Sequence, residues 1–287
     1  MLNINERQLQ TMIRDWLAED IGSGDVTTMA TIQREHQSKG IIHVKEDGIL
    51  AGLPIAQAVF LEVDADLKVS MLSEDGERVA KGTVIMEVTG STHSILTGER
   101  LALNLMQRLS GIATKTQRFV EALDGAPVRL VDTRKTTPGH RILEKYAVRV
   151  GGGANHRFGL YDAVMIKDNH IKGSGGITQA VANARSVIPH TMKIEVETEN
   201  MVQVREALEA QADIIMLDNM DYELMRQAVT YIREAAPHIT IEASGGVSLE
   251  TVKEIADTGV DVISVGGLTY SFNALDISLD LNDKKRG

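Results

Sequence analysis

The sequence predicts an α/β protein in two parts. The first is a small antiparallel sheet with helices, and the second alternates strands and helices around a parallel sheet. Three observations point there. Between residues 40 and 95 short β-like runs alternate with turn signals, with Gly76, Gly82 and Gly90 spaced as turns. A long amphipathic stretch, residues 97–124, then divides two textures. Beyond it, six apolar runs are separated by helix-like segments, which implies right-handed crossover units. Such units close into a β/α barrel or spread into an open doubly wound sheet, and composition does not separate the two.

Taken in order, residues 5–19 read as a helix, with Leu9, Ile13 and Leu17 at i, i+4 and i+8 beside Met12 and Trp16. Gly22 and Gly24 end it, and residues 19–28 read as a loop. The 97–124 stretch reads as helical with a break near Ser110-Gly111. The apolar runs of the second part are VRLVD (128–132), AVMIKD (163–168), KIEVE (193–197), DIIMLD (213–218), TIEAS (240–244) and DVISVG (261–266). After the first run, Thr137-Pro138 should cap and open a helix, with Pro at its tolerated first position. Arg141, Lys145 and Arg149 follow at helical spacing and read as surface charges. The segment 274–281, ALDISLDL, alternates apolar and polar residues, so it reads as one more strand, expected to return to the first part.

The bulk numbers exclude several functions. The chain has 287 residues, 43% hydrophobic and 24% charged, which is ordinary globular composition. Aromatics are only 3%, so the core must come from aliphatic residues and the 12 Met. There is no cysteine, which rules out disulfides, a Cys-ligated zinc and a thiol nucleophile, and suits a reducing compartment. A net charge of -10 argues against a nucleic-acid footprint. The polar N-terminus lacks a signal-peptide core, and no apolar run approaches a membrane span. A soluble, cytoplasmic protein is expected, with no nucleic-acid or membrane partner.

The chemistry is expected where the apolar runs end, because β/α architectures bind ligands beyond the carboxyl ends of their strands. Asp132, Arg134 and Lys135 end or follow the first run, and Lys167-Asp168, Glu197 and Asp218-Asn219 end the next three. Ser244-Gly245-Gly246 and Gly266-Gly267 end the last two. Taken singly, an acidic residue there is most often a helix cap, a lysine a solvated charge and a glycine a turn. Recurrence at six consecutive strand ends is what argues for a site. The two Gly-rich turns suit phosphate, which backbone N–H groups cradle. Between Arg134 and Lys172, eight basic residues face three acidic ones, an excess of five positive charges in an acidic chain. His156-Arg157 beside the Gly151–Gly153 run adds donors, and arginine grips planar carboxylates as a fork. Glu197 and Asp218 suit Mg²⁺, sugar hydroxyls or salt bridges to Lys167. A phosphorylated sugar with a carboxylated partner fits this set.

The stretch DTRKTTPGHRILEKYAVRVGGGANHRFGLYDAVMIKDNHI resembles the signature of the quinolinate phosphoribosyltransferase family. The resemblance continues through EDIGSGDVTT, TGERLALNLMQRLSGIAT, IEVE, IIMLDN, IEASGG and DVISVGGLT, nearly the whole chain in the family's order. It implies an N-terminal α/β sandwich domain, residues 1–108, joined by the tail 273–287, and an incomplete, seven-stranded parallel β/α barrel, residues 109–272. It implies transfer of phosphoribose from 5-phosphoribosyl 1-diphosphate to quinolinate with loss of CO₂, in de novo NAD biosynthesis, with Mg²⁺ and no organic cofactor. It also implies a homodimer with shared sites, leaving any higher oligomer open. By motif position Arg134, Lys135, His156, Arg157 and Lys167 would hold quinolinate, with Arg100 contributed by the neighbouring subunit. Lys135, Lys167, Glu197 and Asp218 would be catalytic, Glu197 and Asp218 also serving ribose and metal. Ser244, Gly245, Gly246, Gly266 and Gly267 would cradle the 5-phosphate. One departure is visible: many relatives read SVGALTHS where this chain reads SVGGLTYS, so Tyr270 stands in place of a histidine. Three alternatives stand beside this reading: transfer to another pyridine base without decarboxylation or a related metal-transport-associated protein, a Schiff-base lyase using Lys167, and a non-catalytic phosphate-binding or regulatory module.

Overall fold

A computed structural model describes residues 4–282 of the chain, so the last five residues of the expected 273–287 tail lie outside the described residues. The chain divides into two compact units. One comprises Met1–Lys115, Ile142–Gly151 and Phe272–Gly287, the other Thr116–Arg141 and Gly152–Ser271.

The first unit begins with α1 (Glu6–Ile21), capped by the Asn5 side chain, which accepts the Arg7 and Gln8 N–H groups. Its buried stripe is Leu9, Ile13 and Leu17, as the spacing predicts. The expected loop 19–28 is shorter, because α2 (Val26–Thr31) starts within it. Asp25 is its N-cap, accepting the Thr28 N–H at 3.0 Å, a local signal carried by Asp-Val-Thr-Thr. Then follow β1 (Gln37–Val44), β2 (Gly48–Ile49), α3 (Leu53–Val63), β3 (Lys68–Met71), β4 (Arg78–Val79) and β5 (Val84–Ser91). In β1 alternate residues from Ser38 to Val44 are buried, the pattern of a strand with one face on a core.

The helix α4 (Thr92–Ala122) is continuous, so the expected break at Ser110-Gly111 is absent. That pair is a packing surface instead. Ser110 Oγ accepts the Ala51 N–H at 2.9 Å, and a Cβ on Gly111 would lie 2.2 Å from the Asn273 carbonyl oxygen. Glycine's lack of a side chain here admits another backbone.

The remaining elements are β6 (Arg129–Val131), α5 (Arg141–Val150), β7 (Val164–Ile166), α6 (Asp168–Ser174), α7 (Ile177–Val187), β8 (Ile194–Thr198), α8 (Met201–Glu209), β9 (Ile214–Asp218), α9 (Tyr222–Ala235), β10 (Thr240–Ser244), α10 (Val252–Ala256), β11 (Val262–Ser264), α11 (Gly267–Tyr270) and β12 (Ile277–Leu281). The last strand pairs antiparallel with β1, from Val44↔Ile277 to Gly40↔Leu281. The first unit thus holds an antiparallel sheet in the order β12-β1-β5-β3 and a small β2-β4 pair.

The second unit is the expected parallel β/α barrel, with strand order β6-β11-β10-β9-β8-β7. Its central strands are almost continuously buried, as parallel strands covered on both faces must be. Six strands are formed rather than seven. The seventh position is a single parallel bridge, Val131↔Ala154, next to Gly151-Gly152-Gly153. Glycine weakens a strand because it loses most backbone freedom and packs no side chain.

The segment before α5 also differs from expectation. Pro138 does not open the helix. Thr137 accepts the His140 N–H at 3.0 Å across Pro138 and Gly139, whose φ of +79° makes a tight turn with Gly at its third position. The helix starts at Arg141. Of the three expected surface charges only Arg149 is exposed, while Lys145 is fully buried and Arg141 half-buried.

Candidate active site

The strand register places the site. Glu195 and Glu197 of β8 share a face by the two-residue period of a strand, and so do Met216 and Asp218 of β9, and Glu242 and Ser244 of β10. Pairing sets Glu197 against Met216, Met216 against Glu242, and Asp218 against Ser244. These groups therefore line the barrel's interior, and the last of each strand reaches its carboxyl rim.

At that rim lies a pocket of about 490 Å³. It is lined by the twelve barrel residues that motif position assigned to substrates and metal, Arg134, Lys135, His156, Arg157, Lys167, Glu197, Asp218, Ser244, Gly245, Gly246, Gly266 and Gly267, whereas the strand-end residues Asp132 and Asp168 do not line it. The thirteenth, Arg100, belongs to α4 in the first unit, with its side chain 59% exposed and 3.8 Å from Glu99. The pocket also takes in Asn219, Glu242, Ser264 and Tyr270.

The helix-capping reading fails for Glu197 and Asp218, whereas Asp168 lies in the first turn of α6. Asn200 caps α8 and Asp221 caps α9, so Glu197 and Asp218 are left for other work. Glu197 accepts the Lys167 ammonium through Oε2, and Asp218 accepts the Asn219 amide at 2.7 Å through Oδ2. Each keeps one oxygen without a hydrogen bond among the described residues. Two such hard oxygens suit Mg²⁺, which takes one or two carboxylates together with substrate phosphates.

The cationic side is braced from below. Asp132, fully buried, accepts the Asn155 amide at 2.6 Å and the His156 N–H at 2.9 Å, which holds the 154–157 turn against β6. Arg141 donates to Thr136 Oγ1 and to the Phe158 carbonyl, both at 2.9 Å, so it ties the Arg134 loop to the Arg157 loop. Thr269 Oγ1 donates to the Lys135 carbonyl at 2.8 Å. Arg157 donates to the Ala163 carbonyl at 3.3 Å, and burial foremost, then Arg134, lowers its pKa. Arg134 Nε is buried and has no hydrogen-bond partner among the described residues. A buried polar atom left unmet costs about 1–3 kcal/mol, more when charged, so this nitrogen marks where a ligand acceptor belongs.

Two residues missed in the sequence stand beneath it. His156 Nε2 lies 3.3 Å from Glu195 and 3.5 Å from Glu242, both almost fully buried. Burial disfavours the imidazolium, but the hydrogen bonds to Glu195 and Glu242 outweigh it and push the His156 pKa up to about 10. Burial foremost raises Glu195, against the pull of His156. These three residues could frame a metal ion by proximity. However, Nε2 is the nitrogen that faces both carboxylates, and as their hydrogen-bond donor it is protonated and no metal ligand. The signal in the sequence was a glutamate inside each of two apolar runs, KIEVE and TIEAS, at positions that face a barrel interior.

The glycine side is built by absence. Gly245 and Gly246 have φ of +92° and +61°, a region side chains disfavour. A Cβ on Gly266 would lie 2.9 Å from both Lys135 Cδ and Tyr270 Cε1. Lys135 therefore reaches across the Gly266 turn toward the glycine side. No helix among the described residues is long and apolar enough to cross a membrane.

Comparison with known proteins finds similar sequences and a similar structure. The family model "Quinolinate phosphoribosyl transferase, N-terminal domain" matches residues 25–110, and its C-terminal counterpart matches residues 112–280. A Synechocystis protein named "Probable nicotinate-nucleotide pyrophosphorylase (carboxylating)" is 48% identical over 269 residues, 94% of this chain and 91% of the relative. A Bacillus subtilis protein of the same name is 46% identical over 278 residues, 97% of this chain and 95% of the relative. The crystal structure of NadC from Streptococcus pyogenes is similar at a TM-score of 0.93 and 42% identity, covering 99% of this chain and all of that one.

Proposed function

The chain belongs to the quinolinate phosphoribosyltransferase family, and from that premise we propose how its rim works. The reaction joins quinolinate to 5-phosphoribosyl 1-diphosphate and yields nicotinate mononucleotide, diphosphate and CO₂, a step of de novo NAD biosynthesis. The observation that carries the assignment is the unmet Arg134 Nε in a pocket that also holds the Glu197 and Asp218 carboxylates and the 244–246 and 266–267 glycine turns.

Quinolinate bears two adjacent carboxylates, and the forked donors Arg134 and Arg157 match them. Lys135, at the Gly266 turn, serves the phosphorylated end. Glu197 and Asp218 take the ribose hydroxyls, and the N–H groups of the 244–246 and 266–267 turns take the 5-phosphate. The ribose C1–oxygen bond to diphosphate breaks, the pyridine nitrogen takes C1, and the ring becomes a pyridinium. The C2 carboxylate then leaves as CO₂. Its electron pair stays on C2, stabilised by the neighbouring positive nitrogen, and a proton completes the new C–H bond. The pyridinium is its own electron sink, so the chain mainly positions and neutralises. Mg²⁺, when bound, offsets charge on the departing diphosphate, and Glu197 and Asp218 would hold it. Against a Schiff-base lyase, an amine that attacks a carbonyl must be neutral, whereas Lys167 meets Glu197 as an ion pair.

On the same reading the chain works in the cytoplasm as a homodimer, and the exposed Arg100 serves the partner's pocket. Mixing an inactive Arg100→Ala variant with an inactive Lys167→Ala variant should restore activity through hybrid dimers. No recovery despite demonstrated subunit exchange would remove the shared site. For the reaction itself, the test is purified protein with quinolinate, the phosphoribosyl donor and Mg²⁺. CO₂ and nicotinate mononucleotide should form in equal amounts, and nicotinate in place of quinolinate should give no comparable turnover. The reverse preference would replace this reading with transfer to a monocarboxylate base.

A further inference from the structure

Asn219 has a backbone φ of +54°, in the left-handed region that few residues other than glycine and asparagine enter. Three contacts coincide there. Its N–H donates to the Ser244 carbonyl at 2.9 Å, linking the ends of β9 and β10. Its side-chain amide donates to Asp218 Oδ2 at 2.7 Å. Its Oδ1 lies 2.2 Å from where a Cβ on Gly245 would stand, so the missing side chain of Gly245 is the space the Asn219 amide fills. Asn219 ends an apolar run and lines the pocket, yet the reaction above does not use it.

We propose that Asn219 is a positioning residue that ties the Asp218 carboxylate to the Ser244–Gly246 turn, so that the hydroxyl-binding and phosphate-binding ends of the phosphoribosyl subsite keep one fixed spacing. The proposal rests on the assignment of that subsite. Asp218 and the glycine turn lie on adjacent strands, and each is short enough to be displaced by rotation of a single side chain or a single peptide. One residue in contact with both removes that freedom. The left-handed backbone is what lets one amide reach its own neighbour's carboxylate and the next strand's turn together.

The test separates the amide from the backbone. Asn219→Gly keeps the left-handed conformation and deletes the amide, whereas Asn219→Asp keeps the shape and turns a donor into a second carboxylate facing Asp218. Calorimetry would follow 5-phosphoribosyl 1-diphosphate with Mg²⁺ in the presence of benzene-1,2-dicarboxylate. That compound has quinolinate's two carboxylates without the reacting nitrogen. Asn219→Gly should weaken the donor about tenfold or more, since the lost bond is to a charged group. The dicarboxylate alone should bind within about twofold, and the thermal midpoint should shift by less than about 2 °C. Asn219→Asp should weaken the donor further, because a second carboxylate then faces Asp218. Donor affinity within about twofold of the unsubstituted chain in both variants would overturn the proposal, as would equal weakening of donor and dicarboxylate. If the unsubstituted chain binds neither compound, the subsite assignment itself falls and this inference with it.

Discussion

The two sides of the rim are built by opposite means. On the β6–β7 side long cations arrive on loops: Arg134 and Lys135 after β6, His156 and Arg157 after the glycine run, and Lys167 at the end of β7. The loops that carry the first four are held through Asp132, Arg141, Thr269, Glu195 and Glu242, and Lys167 pairs with Glu197 of β8. On the β8–β11 side the groups are short, sit at strand ends, and include backbone exposed by glycine. One side is thus vulnerable to removing side chains and the other to adding them. This follows from the ligands each suits: forked donors for carboxylates need reach and bracing, whereas a phosphate needs N–H groups and room.

Predictions that break or sharpen this contrast run from large to small. Arg134→Ala or Arg157→Ala should lower kcat/KM for quinolinate by ~10–150-fold, from a charge-assisted contact of roughly 1.5–3 kcal/mol. The donor's affinity should change little, and steady-state kinetics with each substrate varied checks the split. Near-normal turnover of quinolinate by both variants would sink the cationic assignment. Gly245→Ala should act the other way round, through a strained φ and collision with Asn219, worth about 1–3 kcal/mol or ~5–150-fold in donor affinity. If dicarboxylate binding suffered more than donor binding, the two sides would not be separable.

The buried braces predict a pH signature. Because His156 is raised to about 10 from an ordinary value near 6.5, its ion pairs stabilise the fold fully below about pH 6.5 and are lost as pH rises through 10. Thermal midpoints should fall across that window, and Glu242→Gln should flatten the slope by a few °C. An unchanged slope would mean that Glu242 does not hold the imidazolium. At the small end, Arg141→Ala loses two loop-tying hydrogen bonds and should cost about 0.5–1.5 kcal/mol for each. Arg149→Ala, exposed eight residues along, should stay within about 0.5 kcal/mol. Equal losses in these two variants would return both to the status of surface charges.

Arg141 and Arg149 also show where reading the chain stops. Helical spacing treats Arg141, Lys145 and Arg149 as equivalent, but they end half-buried, buried and exposed, because burial depends on what packs around each, which spacing does not carry. The break expected at Ser110-Gly111 failed for the same reason. A glycine that looks like a helix breaker is kept by the backbone of Asn273 and Ala274, some 160 residues away in sequence. Pro138 failed locally: Thr137-Pro138-Gly139-His140 is a turn before it is a helix start, since Gly139 supplies the positive φ the turn needs.

The sequence by itself determined the two sheet types, the C-terminal strand's return to the first part, and twelve residues of the pocket. Those features follow from local rules: two-residue alternation for strands, and the convergence of strand ends in any β/α array. Only the tertiary structure decided that Glu195 and Glu242 meet under His156, that Asn219 occupies the space Gly245 leaves, and that the seventh strand shrinks to one bridge at Ala154. Glu195 and Glu242 are 47 residues apart, and neither carries a local mark of the other. Burying such charges is tolerable only when the fold brings their partners together, so their roles exist in three dimensions before they can be read in one.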